Sequence, residues 1–123
     1  MNGPVLDDAT LDRLRDRNPR YHEAVYLFVL SALHHVIARL PEPRHISGRE
    51  LAIGVRDLSV LRFGPMARTV LEYWGLRETT DVGDIVFGLV ECGVLIKQDE
   101  DTLDDFADVF DFDDAFEQDY PWG

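Results

Sequence analysis

The side chains able to ligate a metal or relay a proton are few and scattered: His22, His34, His35, His45 and the lone Cys92. His34 and His35 are adjacent, so on a helix they point about 100° apart and do not converge on one ion. No H-E-x-x-H run exists, and Tyr26 stands where a helical partner of His22 would be needed. Asp99, Asp101, Asp104 and Asp105 lack the turn glycine and closing glutamate of a calcium loop. Ser31 and Ser59 have no G-x-S-x-G setting, and Ser47 has a capping role. Cys92, beside Gly93 at the end of an apolar helix, reads as a small inert thiol. Phosphate-binding glycine loops are absent as well. The expectation is of no metal, no cofactor and no catalytic constellation.

Two surfaces carry more information. Arg44-His45 precedes Ser47-Gly48-Arg49-Glu50, so a charged pair sits beside a helix N-terminus, where free amides gather; it is a candidate anion contact. Glu50 competes for that same end, and pairing of Arg44 with a surface acid is the simpler reading. The second surface is the helix of residues 81–92, whose inward stripe is complete without Phe87. Gly83 and Gly88 each cost that helix about 1 kcal/mol against alanine, which implies a close approach there. Gly83, Phe87, Gly88 and Glu91 are therefore the candidate interaction surface, facing either a partner chain or the N-terminal helices.

These residues need positioning elements. Thr10 reads as an N-cap, and Asn18-Pro19 as the opening of a second helix over Arg20 to Arg39, apolar nearly all round. Such a helix must be covered by the rest of the chain or by a second copy, so a homodimer through it is an option. Ser47 to Glu50 is a capping box, followed by Leu51, Val55, Leu58 and Leu61 at helical spacing. Gly64-Pro65 ends that helix and starts the next, which Gly75 closes. Asp81 opens a further helix that ends at Gly93. Val94 to Lys97 and Phe106 to Phe112 then read as two strands around a polar turn at Gln98 to Asp104. Phe116, Tyr120 and Trp122 would pin the acidic tail.

The order predicts one domain over residues 1–123, mainly α with a C-terminal β-hairpin (α+β). N-terminal helices at 10–40 precede a winged-helix-like core at 47–112 and an acidic tail at 113–123. With one cysteine no internal disulfide forms, and neither a secretory leader nor a 20-residue apolar span is present, so a cytoplasmic protein with no membrane association is expected.

Charge decides against the usual work of a winged helix. The formal net charge is −12, from sixteen Asp and eight Glu against eleven Arg and one Lys. Residues 1–77 carry +2 and residues 78–123 carry −14. A recognition helix over Asp81 to Cys92 has no basic residue, and acids crowd the wing that should approach phosphate. Nucleic acid is thus disfavoured as partner. The acidity has two readings: a surface for a basic partner, or the Asp-rich, Lys-poor composition of a salt-accumulating host. The functional expectation is a non-enzymatic protein-interaction or regulatory module. A nucleic-acid regulator using the arginines of 13–20 and 44–68, and an enzyme with a dispersed site, are the alternatives.

Residues 18 to 116 also resemble a family of small uncharacterised bacterial proteins carrying a Minf-type label. The likeness rests on Arg20-Tyr21, the Arg44-His45-Ile46-Ser47-Gly48-Arg49-Glu50-Leu51 stretch, Phe63-Gly64, Trp74-Gly75, Gly83, Ile85-Val86-Phe87 and the run from Asp105-Phe106 to Phe116. The resemblance implies a stand-alone domain and supplies no activity, cofactor or partner.

Overall fold

A computed structural model describes residues 6–96 and 102–118. Helix α1, Asp8–Arg17, is capped by Asp7, whose Oδ1 accepts from the Thr10 amide at 2.8 Å. Helix α2, Glu23–Ala38, is capped by His22, whose Nδ1 accepts from the Ala24 amide at 3.0 Å. Asn18 closes α1 and does not open α2. Helix α3, Gly48–Phe63, starts on the expected capping box: Ser47 Oγ accepts from the Glu50 amide, and Glu50 accepts from the Ser47 amide. Gly64, at φ +52°, stops it; a 3-10 turn through Pro65 leads into α4, Ala67–Tyr73.

Helix α4 ends in a Schellman motif on Gly75, φ +103°, with Leu76 N bonded to Leu71 O at 2.8 Å. Helix α5, Thr79–Glu91, starts two residues before the expected Asp81. Asp81 is its third residue, and its Oδ2 accepts from the amides of Arg77 and Glu78. Gly93 closes α5 with a second Schellman motif.

Helix α2 is the centre of the packing, laid mainly against α3 and α5 with α1 at their edge. Val25, Tyr26, Phe28, Val29, Leu30 and Ala32 are all buried by the chain itself, while Leu33, Val36, Ile37 and Leu40 stay half-buried. Phe28, Phe63 and Trp74 meet at 5.4 to 5.7 Å between ring centres, joining α2 and α3 to the end of α4. Leu61, expected on the inner stripe of α3, is 71% exposed.

The C-terminal hairpin is not there. Among the described residues no strand forms, so neither the α+β class nor the winged-helix-like core holds. The physical reasons are local. Val94 and Leu95 both donate to Leu89 O, which curls the chain back over the end of α5 when a strand would extend it. Phe106 belongs to a 3-10 turn, Leu103–Phe106, and Asp108 adopts φ +51°, which breaks any extended run. Asp111 then turns the chain into a short π-helical segment, Asp114–Gln118, with the Ala115 amide on Asp111 O and the Asp113 amide on Asp111 Oδ1. Lys97, Asp99, Asp101, Tyr120 and Trp122, assigned above to strand, turn and tail, lie outside the described residues.

What replaces the hairpin is an aromatic strap. Phe106, Phe112 and Phe116 are buried in the same core as α1 to α5. Thr79 ties the strap to α5: its hydroxyl donates to Phe106 O at 2.5 Å and accepts from the Val109 amide at 3.2 Å. The Phe106 ring lies in a slot between two glycines. A Cβ at Gly48 of α3 would stand 2.9 Å from the ring, and one at Gly83 of α5 also 2.9 Å.

Opposite signs follow for the two glycines of α5. Gly83→Ala has no room, because the ring is held from both sides, and it will destabilise by about 1–3 kcal/mol. Gly88→Ala meets the flexible tip of Arg17 at 3.2 Å and will be neutral or gain up to about 1 kcal/mol of helix propensity. Urea unfolding of the two variants checks the pair.

Candidate functional site

Six half-buried apolar side chains from two helices and the segment after α5 turn toward one cleft: Leu33 and Ile37 of α2, Val86, Phe87 and Val90 of α5, and Leu95. Ile46 and Leu51, around the start of α3, and Asp105 with Phe106 also line it. Ile96 lies on its margin, 86% exposed. The cleft holds about 170 Å³ and is lined predominantly by carbon. Its polar wall residues are His45, Ser47 and Asp105. Phe87 stands edge-on to Phe106 at 6.5 Å between ring centres, so its position is set by the same slot that holds the strap.

The candidate interaction surface on α5 is therefore two faces. Gly83 and Phe87 share the Phe106 side, with Phe87 in the cleft wall. Gly88 and Glu91 share the opposite side, against α1: Gly88 faces Leu14, Arg17 and Tyr26, and Glu91 accepts from Arg17 Nε at 2.6 Å. The close approach inferred from the glycines is made by side chains of this chain's own strap and N-terminal helix.

Arg44 and His45 are also placed. Arg44 makes a bidentate pair with Glu50, at 3.1 and 2.8 Å, and donates to His45 O. The guanidinium is thus turned onto the carboxylate that caps α3. His45 reaches the cleft wall. The Arg44 hydrogen bond, then the Ser47 amide, hold the Glu50 carboxyl down from its ordinary 4.5 to about 2.

One constellation escaped the sequence reading. The Tyr21 hydroxyl, on a side chain 1% exposed, donates within reach of two carboxylates: Asp81 Oδ1 at 3.0 Å and Asp84 Oδ2 at 2.8 Å. Arg20 pairs with Asp81 and lies over the Tyr21 ring. Burial, and then the hydrogen bonds and charges of the two aspartates, push the Tyr21 hydroxyl far above its ordinary value. It stays a proton donor, locking the α1–α2 link onto α5. The only signal was Asp81 at the start of a helix; its partner is sixty residues away.

Several of the other charges form pairs. Arg15 meets Asp12 and Glu23; Arg17 meets Glu91; Arg56 meets Asp57; Arg68 bridges Glu72 and Asp113. Among the described residues no three His, Cys, Asp or Glu side chains group as metal ligands, and no helix is long and apolar enough to cross a membrane. Comparison with known proteins adds no identity: no family model, no curated protein and no solved structure matches the chain.

The Glu50 pair makes a pH prediction. A carboxylate depressed on folding contributes stability fully above pH 4.5 and loses it as pH falls toward 2. Glu50→Gln will melt below wild type at neutral pH, and the gap will shrink across that acid window. Thermal melts at stepped pH check it.

Proposed function

We propose that this chain is a protein-interaction module that captures an apolar side chain of a partner in the cleft between α2, α3 and α5. The observation that carries the reading is the cleft itself. Apolar wall residues converge on about 170 Å³ without filling it. An apolar cavity of about 150 Å³ accepts a benzene-sized guest, so the cleft suits one Leu, Met or Phe side chain. Concave, mostly apolar sites with a few polar groups at the margin are the usual form of a binding site.

Charge supports a protein over a nucleic-acid partner. Arg15, Arg17, Arg20, Arg44, Arg56 and Arg68 are turned onto carboxylates of this chain, which leaves their phosphate-seeking charge largely neutralised. A phosphate track needs cations that release counterions on binding.

The test is selection of binders from a random displayed-peptide library, followed by mapping. Selected peptides will share one large apolar anchor, and their chemical-shift changes will centre on Leu33, Ile37, Phe87 and Val90. Ile37→Trp, which fills the cleft, will abolish binding. Ile96→Ser, at a margin position too exposed to support the core, will weaken it several-fold with an unchanged melting temperature. Peptides that map elsewhere, or that bind Ile37→Trp as well as wild type, overturn the proposal.

A further inference from the structure

We infer that the cleft selects a cationic partner, an amphipathic segment whose apolar anchor has Lys or Arg beside it; this rests on the cleft being the binding surface. The specific observation is Asp105. It is half-buried in the cleft wall, packed over Gly48 at the start of α3. Its Oδ2 accepts from the Thr102 amide at 3.1 Å, and no cation among the described residues pairs with it. Its treatment differs from that of the nearby acid Glu50, which Arg44 neutralises with two hydrogen bonds. A carboxylate at the margin of an apolar pocket, with one backbone contact and no counter-charge among the described residues, is completed by a cation next to the anchor. Asp104 beside it is exposed and adds the same sign.

The long-range field agrees. A chain of net charge −12, with −14 in residues 78–123, raises the local concentration of cationic partners and repels acidic ones. This attraction is screened over about 8 Å at physiological salt, whereas the Asp105 contact at the pocket is screened less. Apolar capture and charge selection are therefore separable.

Three synthetic peptides test this on the full chain by fluorescence anisotropy. The first has a Phe anchor flanked by lysines, the second the same anchor flanked by glutamates, the third the lysines with alanine for the anchor. The first will bind about tenfold or more tighter than the second at low salt, with the gap narrowing as salt rises. Asp105→Asn keeps the acceptor for Thr102; it will weaken the first peptide by about three- to tenfold and leave the second unchanged or improved. Equal affinity for the first two peptides, or no effect of Asp105→Asn, overturns the charge selection and leaves apolar capture standing. Binding of the third peptide as tight as the first, or binding of the first to Ile37→Trp, overturns the cleft reading itself. A melting curve of each variant confirms that folded protein was titrated.

Discussion

The seating of one ring, Phe106, between two helices determines most of what is distinctive here. Gly48 and Gly83 belong to different helices, and each lacks the one carbon that would exclude the ring. The ring therefore acts as a spacer between α3 and α5 while its backbone is held by Thr79. A buried carbonyl and a half-buried amide that would otherwise ask for a neighbouring strand are served by one hydroxyl. That is why an aromatic-rich segment with strand-like composition needs no ladder. Its burial comes from Phe106, Phe112 and Phe116 entering the helical core in turn.

The polar organisation follows a similar logic of long-range closure. α1 is joined to α5 by Leu14, buried completely, and by the Arg17–Glu91 pair. The α1–α2 link is joined to α5 by Tyr21 and Arg20. Exposed ion pairs of this kind contribute little individually, about 0–1 kcal/mol, so the buried Tyr21 hydroxyl and its two aspartates matter more. Tyr26 shows the contrast: its buried hydroxyl has no hydrogen-bond partner among the described residues, a cost that the packing of α2 absorbs.

Legibility in the sequence divides along distance. The Ser47–Glu50 box, Gly75 and Gly93 were readable because a cap is completed within a few residues. Where helix starts were misplaced the error has a pattern: Thr10, read as an N-cap, and Asp81, read as opening its helix, are third residues whose partners lie at Asp7 and at the amides of Arg77 and Glu78. Two polar residues three apart exchange roles easily on paper, since either one can be the cap. The strap was illegible for a different reason. Alternating Phe and Asp satisfies a strand pattern, and only the glycine slot on α3 and α5, many residues upstream, shows that the ring is needed elsewhere. Phe87 was found because it lay off the inward stripe of α5, yet Leu33 and Ile37, also in the cleft wall, belong to a helix apolar nearly all round, where no single face stands out.

The same spacer explains why the cleft survives. Hydrophobic side chains beside about 170 Å³ of space would normally close over it, because a sealed void of that size costs about 4 kcal/mol at ~24 cal/mol per Å³. Here α3 and α5 cannot approach each other without expelling Phe106, and Phe87 cannot swing inward without leaving its edge contact with that ring. Collapse would sacrifice a wedge that several contacts hold, so an apolar surface stays uncovered by the side chains of the described residues. A guest side chain removes that surface from water at about 25 cal/mol per Å² with no rearrangement of the walls. On the proposed reading this concavity binds by being filled, and the strap that a strand pattern concealed is the part of the fold that holds it open.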